Sequence, residues 1–251
     1  MLAAYPFLPP GAHADLPDTV QRIKPSIVGI GTFLKVRNPS LQFSGTGFVV
    51  ADGQLVVTNA HVVARDLDAA NRETWMILVP DANGEPRGRD ARIVSVDRDR
   101  DLALLRIEGS PLPALKLGDT DVVREGQLVA FTGYPIGVVL GLHPATHRAT
   151  VAAITPIVRP GLTARQLNPK MIARLKDDPF RVYQLDGTAY PGNSGSPVYD
   201  PETGVVLAVL NSTLVQGTRE SAISRPSGIS YAIPVRHVRD LLASDRTPAS
   251  R

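Results

Sequence analysis

The chain has 251 residues, of which 43% are apolar and 20% are charged, a composition typical of a soluble globular protein with a substantial core. The formal net charge is +3, and Lys and Arg alternate with Asp and Glu. The sequence therefore has no contiguous basic stretch of the kind that indicates nucleic-acid binding. The sequence contains no cysteine, which excludes disulfides, thiolate metal sites and a catalytic thiol. Its five histidines show no HExxH-like spacing, and we expect no metal and no cofactor.

Residues 1–19 are expected to form an N-terminal arm outside the folded domain. The first eight residues are mostly apolar, and Ala12-His13-Ala14 has the small-x-small pattern of a signal-peptidase site. No Lys or Arg precedes this pattern and prolines interrupt it, so a remnant of an export signal and a floppy or docking arm both stay open as interpretations. No stretch of the chain is long enough to span a membrane.

Short runs rich in β-branched residues, separated by Gly, Pro, Asn and Asp, follow one another from Ser26 onward. Such runs predict β-strands. The twelve predicted strands are 26–36, 44–50, 54–58, 74–79, 89–96, 102–107, 127–133, 147–155, 181–186, 196–200, 205–213 and 229–233. Their number and short spacing predict an all-β protein built from two six-stranded antiparallel β-barrels.

The segment from Ser110 to Asp121 is the expected crossover between the barrels. We therefore place the first barrel at residues 20–117 and the second at 118–243, followed by a tail at 244–251. A proline at position 234 and apolar residues at helical spacing over 235–242 predict a C-terminal helix. A second short helix is predicted at 168–176, inside a long loop that spans 157–180.

Three polar residues stand out as candidates for chemistry. Ser194 lies between Gly192-Asn193 and Gly195, where the backbone can turn tightly and a substrate can approach. His61 follows a strand-like run, and Asp101 stands at the entrance of the apolar run 102–107. Two of them have an alternative interpretation when taken alone: a surface turn for Ser194 and a satisfied core histidine for His61. Asp97 and Asp99 compete with Asp101 by residue type, but they stand between arginines and look like solvated turn charges.

Together these segments resemble the trypsin-like serine proteases, and within them the bacterial high-temperature-requirement (HtrA, or Deg) branch. The order His, Asp, Ser is that of the chymotrypsin-type triad. Six blocks carry the resemblance in family order: GTGFVV at 45–50, TNAHVV at 58–63, DLALLRI at 101–107, GYPIG at 133–137, GNSGSP at 192–197 and GISYAIP at 228–234. The resemblance implies a chymotrypsin-like fold and a site at the cleft between the two barrels.

The resemblance also implies a role for each candidate. Ser194 would be the nucleophile, His61 the base, and Asp101 the group that orients the imidazole. The oxyanion hole would be formed at Gly192, Asn193 and Ser194, with the backbone N–H groups of Gly192 and Ser194 as donors. Asn193 is neutral, so it cannot pair with a newly freed amino terminus, and we expect no activation by proteolysis. The family pattern selects Asp101 over the other two aspartates.

Ser196 departs from the family pattern, which usually has a second glycine there. A serine is a small step from glycine, so we expect activity to survive, although the backbone dihedrals at this position are in question. Gly133, Tyr134 and Pro135 have no separate chemical role that the sequence supports.

The resemblance also implies where the primary specificity pocket lies: counted back from Ser194 as in the family, Thr188 falls at its base, with Asn211, Ser212 and Thr213 as one wall. Without a carboxylate at Thr188, a bound Lys or Arg would be buried unpaired, so we expect cleavage after small or medium apolar residues. Asp186 is an alternative acid, but on a strand it faces the other side.

The sequence therefore predicts a serine endopeptidase that acts on unfolded or extended polypeptides. A non-catalytic binder or chaperone on the same fold and an esterase with the same acyl-enzyme chemistry stay open as alternatives. The resemblance also implies a homotrimer through an aromatic N-terminal segment, with Tyr5 and Phe7 as candidates, and a bacterial protein that is exported or cytoplasmic. Family members usually carry a PDZ domain after the protease domain; here we expect none.

Overall fold

A computed structural model describes residues 15–80, 86–119, 122–135, 143–156, 180–211 and 228–246. These residues form mostly strands, which close into two six-stranded antiparallel barrels, followed by a short C-terminal helix. The predicted fold class is confirmed. Each of the twelve predicted strands overlaps an observed one, with differences of a few residues at the ends.

The first barrel contains six strands in the order β1-β2-β3-β6-β5-β4. Their bounds are β1 Ile27–Phe33, β2 Leu41–Val50, β3 Leu55–Thr58, β4 Thr74–Pro80, β5 Pro86–Asp97 and β6 Leu102–Ile107. β1 pairs with both β2 and β4, so its pairing with β4 closes the sheet. Closure leaves no unpaired sheet edge in this barrel.

The second barrel repeats this arrangement with the order β7-β8-β9-β12-β11-β10. Its strands are β7 Leu128–Gly133, β8 Ala145–Pro156, β9 Arg181–Asp186, β10 Pro197–Tyr199, β11 Val206–Asn211 and β12 Ile229–Pro234. β10 pairs with β7, which closes the second sheet. The two barrels therefore have the same topology, and the residues between them form a seam.

Apolar side chains of the described residues form three clusters, one in each barrel and one at the seam. The cluster at the seam joins residues of both barrels, including Ile27, Phe48, Tyr134 and Tyr199. The Tyr134 hydroxyl crosses this seam and donates to the Ile27 carbonyl at 3.1 Å. Burial raises the pKa of Tyr134, so its hydroxyl keeps the proton that it donates.

Each of two described helices is next to one barrel in the sequence but packs against the other barrel. α1, Leu16–Ile23, precedes the first barrel but packs on the second, where Thr19 Oγ1 donates to the Glu202 carbonyl at 3.0 Å. α2, Arg236–Arg246, follows the second barrel but packs against β5 and β6 of the first. The two helices therefore stabilise the contact between the barrels, one from each side in sequence.

Some expectations differ from the structure or lie outside it. The C-terminal helix is where the sequence predicted it, whereas α1 was not predicted and occupies part of the expected arm. The predicted helix at 168–176 lies outside the described residues. Among the residues that the structure describes, no helix is long and apolar enough to cross a bilayer.

A buried carboxylate organises the loop that follows the His61 segment. Glu73 accepts from Thr32 Oγ1 at 2.6 Å, from the Asp68 backbone N–H at 3.0 Å and from Arg37 at 2.8 Å, and it pairs with Arg65 at 3.0 Å. Burial raises the pKa of Glu73, but the hydrogen bonds from Thr32, Asp68 and Arg37 and the charge of Arg65 outweigh it and lower the pKa to about 2. The carboxylate is therefore ionised and fully paired.

We expect Glu73→Gln to destabilise the fold by about 1–3 kcal/mol at pH 7, because it removes charge-assisted hydrogen bonds from a buried group. The folded pKa of about 2 lies below the ordinary value of 4.5, so the contribution of the charge is complete above pH 4.5 and is lost as the pH falls through 2. Denaturant unfolding across this pH range measures it. The exposed Asp66 of the same loop provides the control Asp66→Asn, and an equal effect of both variants would contradict the prediction.

Candidate functional site

His61 lies in a short 3₁₀ turn, Ala60–Val63, directly after β3. The apolar neighbours Ala60, Val62 and Val63 are buried, which anchors the turn, while the His61 side chain keeps 30% of its surface exposed. The imidazole is therefore held at a barrel end with one edge accessible.

Asp101 directly precedes β6 and has a left-handed backbone conformation, with φ of 53°. Aspartate tolerates this region better than most residues, but such a conformation usually needs support. Its Oδ1 accepts the His61 backbone N–H at 2.8 Å, and its Oδ2 lies 2.6 Å from His61 Nδ1. Asn211 Nδ2 donates to the same Oδ2 at 2.7 Å, and Asn59 Nδ2 donates to the Asp101 carbonyl at 3.1 Å. The carboxylate thus holds both the backbone and the ring of His61.

This contact assigns the tautomer of the imidazole. An ionised carboxylate only accepts hydrogen bonds, so the proton of the neutral ring is on Nδ1 of His61. Nε2 then carries the lone pair and can accept a proton from a nearby hydroxyl. The pair has the properties of a general base.

Asp97 has a structural part in presenting Asp101 and is not the solvated turn charge that the sequence suggested. Its carboxylate accepts the Arg100 backbone N–H at 2.9 Å and Arg100 Nη1 at 3.0 Å. Burial raises the pKa of Asp97, but the contacts with Arg100 outweigh this and lower it. Asp97 therefore shapes the turn between β5 and β6, and Asp101 is the acid that contacts His61.

Ser194 follows a tight turn from Tyr190 to Asn193. The Asn193 N–H donates to the Tyr190 carbonyl at 3.0 Å. Pro191 at the second position and a φ of 100° at Gly192 define a type II turn. This φ favours glycine, because a Cβ is strained there. Ser194 itself is only 4% exposed.

Hydrogen bonds set the peptide planes next to Ser194. The Asn193 carbonyl accepts the Ser196 N–H at 3.0 Å, and the Ser194 carbonyl accepts the Thr46 N–H at 2.9 Å. In a trans peptide the N–H points opposite to the C=O. The Ser194 N–H therefore faces away from Ser196, whereas the Asn193 N–H is used inside the turn.

The Ser194 turn and the His61 segment meet on β2 at Gly45. A Cβ placed on Gly45 would lie 2.8 Å from Val62 Cγ2 and 3.2 Å from the Ser194 carbonyl oxygen. Val62 is the residue after His61, so both segments lie close to a single point on β2. The absence of a side chain at Gly45 is what allows this approach.

The residues assigned to the specificity pocket differ in where they lie. Thr188 is half-buried just beyond β9, and the carbonyl of the neighbouring Gly187 accepts from Ser230 Oγ on the adjacent strand β12. The Asn211 side chain points to Asp101, not into a separate pocket wall. Ser212 and Thr213 lie outside the described residues. Asp186 is exposed on β9.

Three buried residues at the site were not predicted in the roles that they have. Asn59 and Asn211 hold Asp101, and Thr46 contacts the Ser194 turn. The available signal was a polar residue in an otherwise apolar or glycine-rich strand, at Thr46 and Asn211, and an asparagine two residues before His61. No group of three or more His, Cys, Asp or Glu side chains in the described ranges is placed to hold a metal ion.

Ser196 packs against Gly133 at the edge of the site. Its hydroxyl is buried and makes no hydrogen bond among the described residues, and a Cβ added to Gly133 would collide with it. The Ser196 N–H and carbonyl bond to Asn193 and Leu210. The non-glycine residue at 196 is therefore accommodated by the glycine at 133.

The family model of the trypsin-like peptidase domain matches residues 45–209. Among curated proteins, the serine protease HTRA1A of Danio rerio is 30% identical over 230 residues, which are 90% of this chain and 40% of that protein. The mitochondrial serine protease HTRA2 of Drosophila pseudoobscura pseudoobscura is 33% identical over 208 residues, which are 81% of this chain and 39% of that protein. The chain thus spans about two fifths of the length of these relatives.

Solved structures are similar in fold. The HtrA-type protease AlgW with a decapeptide superposes with a TM-score of 0.65 at 20% identity, over 92% of this chain and 67% of that chain. The HtrA-type protease AlgWS227A with a tripeptide gives a TM-score of 0.64 at 22% identity, over 92% of this chain and 63% of that one. At this identity the likeness concerns the two-barrel architecture.

We expect Gly133→Ala to destabilise the fold by about 1–3 kcal/mol, because the added methyl group overpacks the Ser196 hydroxyl. Ser196→Ala removes the colliding oxygen, so the double variant should recover at least half of the loss. Denaturant unfolding of both single variants and the double variant measures this coupling. Additive effects would show that the two residues do not share this space.

Proposed function

The chain belongs to the trypsin-like peptidase domain family, and from this premise we propose that it is a serine endopeptidase that hydrolyses peptide bonds in unfolded or extended polypeptides. Ser194, His61 and Asp101 are the proposed triad. The observation that carries the proposal is the double contact of Asp101 with the backbone and ring of His61. It leaves Nε2 as the basic atom, on the segment that meets the Ser194 turn at Gly45.

In the first step, His61 Nε2 removes the proton from Ser194 Oγ as the oxygen attacks the carbonyl carbon of the scissile bond. Asp101 stabilises the imidazolium that forms and does not itself take the proton. The imidazolium then protonates the leaving amine, which breaks the C–N bond and leaves an acyl group on Ser194. The same Nε2 then takes a proton from a water molecule as its oxygen attacks the acyl carbon. The imidazolium passes that proton to Ser194 Oγ as the ester C–O bond breaks, which releases the carboxylic product and restores the serine.

The developing oxyanion would be received by the backbone N–H groups of Gly192 and Ser194. The type II turn and the bond from Ser196 to the Asn193 carbonyl support this assignment, because they set the directions of both peptide planes. The Asn193 N–H is committed to the turn, so Asn193 would act through its backbone position. Each such donor is worth about 10²–10³ in rate.

The environment of Thr188 supports a preference for small or medium apolar residues before the scissile bond. Thr188 is half-buried, and the carbonyl of the neighbouring Gly187 accepts a hydrogen bond from the neutral Ser230 hydroxyl. Asp186 is exposed, so it is not placed to balance a buried Lys or Arg. A basic side chain bound there would lack a partner, which is costly.

The proposals on assembly and compartment rest on the family resemblance. Tyr5 and Phe7, the candidates for contacts in a homotrimer, lie outside the described residues, and sedimentation of the Tyr5→Ala, Phe7→Ala double variant would test them. From the resemblance we also predict a bacterial protein that is either exported or cytoplasmic.

We expect Ser194→Ala to reduce casein hydrolysis to background, a loss of about 10⁴-fold or more, because no nucleophile remains. The matched control is Ser196→Ala, which removes a buried hydroxyl two residues away that has no hydrogen-bond partner among the described residues; it should keep nearly full activity. Equal rates for wild type and Ser194→Ala would support a binding protein on this fold. Turnover of esters without amides would point to an esterase.

Cleavage sites mapped by mass spectrometry in a denatured protein mixture should show Ala, Val, Leu and similar residues before the scissile bond. Lys and Arg should be depleted there relative to their abundance. Thr188→Asp places a carboxylate in the proposed pocket base and should shift cleavage toward Lys and Arg. An unchanged cleavage pattern for this variant would remove Thr188 from the pocket.

A further inference from the structure

Thr46 is a polar residue in the interior of β2, with 0% of its surface exposed. It stands between Gly45 and Gly47, on the first barrel, and yet two of its atoms bond to the turn that carries Ser194 on the second barrel. A buried hydroxyl must be hydrogen-bonded to offset its desolvation. The partners of Thr46 therefore show what its side chain does.

The Thr46 hydroxyl donates one hydrogen bond and accepts one across the seam between the barrels. Oγ1 donates to the Gly192 carbonyl at 2.7 Å and accepts the Tyr134 backbone N–H at 3.0 Å. The backbone groups of Thr46 are used as well. Its N–H donates to the Ser194 carbonyl at 2.9 Å, and its carbonyl accepts from Thr58 Oγ1 at 2.7 Å.

These contacts fix two peptide planes around the proposed nucleophile. The Gly192–Asn193 peptide is held at its carbonyl by Thr46 Oγ1 and at its N–H by the Tyr190 carbonyl. The Ser194–Gly195 peptide is held at its carbonyl by the Thr46 N–H. The peptide between them carries the Ser194 N–H. Its orientation follows from the two planes that flank it, because the backbone has only two soft torsions per residue.

Gly195 shows how closely the turn lies on Thr46. Its φ is 88°, and a Cβ there would collide with the Thr46 carbonyl and the Thr58 hydroxyl. The turn is therefore seated directly on β2, next to the Gly45 position at which the His61 segment packs. Thr46 has contacts with the turn at both ends of the Gly192–Ser194 stretch.

We propose that the Thr46 hydroxyl is a positioning group for the reaction, which holds the Gly192–Asn193 peptide and thereby the adjoining Ser194 N–H in place across the barrel seam. Thr46 touches no reacting atom, so it acts through the turn. The proposal rests on the proposed function, since it assigns Thr46 to the oxyanion hole of that site. A misplacement of about 1 Å at a reacting centre can cost about 10²-fold in rate.

The test compares Thr46→Val, which keeps the shape and loses the hydroxyl, with Thr46→Ser, which keeps the hydroxyl. We expect kcat for a peptide substrate to fall by about 10- to 100-fold in Thr46→Val, with KM within about 2-fold. Thr46→Ser should restore kcat to within about 3-fold of wild type. Affinity for a peptide boronic acid, whose tetrahedral adduct needs the oxyanion donors, should fall by the same factor as kcat in Thr46→Val.

Thr32→Val is the matched control, because it removes another buried threonine hydroxyl of the first barrel, which donates to Glu73. It should lower stability and leave kcat and boronate affinity unchanged. Wild-type kcat in Thr46→Val, or a Thr46→Ser variant as impaired as Thr46→Val, would overturn the proposal. If Thr46→Val does not fold, Thr46→Ala at low temperature provides the same comparison.

Amide hydrogen exchange separates this proposal from the proposed function. The Tyr134 N–H should exchange faster in Thr46→Val than in Thr46→Ser, because its acceptor is gone. One possible result is that the Tyr134 N–H exchanges faster in Thr46→Val while the wild-type protein forms no adduct at a serine. This result would reject the proposed function and keep the hydrogen-bond link across the seam. Unchanged exchange together with unchanged kcat would reject the role of Thr46 alone.

Discussion

The structure of the site depends on one carboxylate that contacts one histidine in two places. Asp101 Oδ1 holds the His61 backbone N–H, and Oδ2 holds the ring at Nδ1. Two contacts from a rigid carboxylate leave the imidazole little freedom to rotate, so the orientation of Nε2 is set before any substrate arrives. Such pre-organisation is what lets a weak base act on a serine hydroxyl without a reorganisation cost in each turnover.

Asp101 is in turn held by both barrels. Asn59 belongs to the first barrel and Asn211 to the second, and each donates one hydrogen bond to the aspartate. The left-handed backbone at Asp101 is stabilised by these contacts and by the neighbouring turn that Asp97 shapes. The seam cluster and the two crossing helices keep the barrels in register, so local geometry at the acid depends on the packing of the whole domain.

Much of the fold could be predicted from local sequence patterns, whereas several contacts of the candidate site could not. Twelve runs of β-branched residues between turn residues were enough to predict twelve strands, because strand formation depends on short-range patterns. His61, Asp101 and Ser194 were selected as the candidate triad from their order and motifs. Asn211, Thr46 and Glu73 each contact a residue that is distant in sequence, at separations of 110, 146 and 41 residues, and no periodicity encodes such pairs. α1 was not predicted, although its start carries a local signal, since Asp15 caps the helix and a proline stands in its first turn.

The most direct test of this account is the reaction of the protein with diisopropyl fluorophosphate, followed by intact mass and peptide mapping. The account predicts one phosphoryl adduct per chain, on Ser194, formed about 10⁴-fold more slowly in Asp101→Asn, which loses the tautomer that leaves Nε2 basic. An adduct on another residue, or equal rates of labelling in wild type and Asp101→Asn, would contradict the claim that the Asp101–His61 pair activates Ser194.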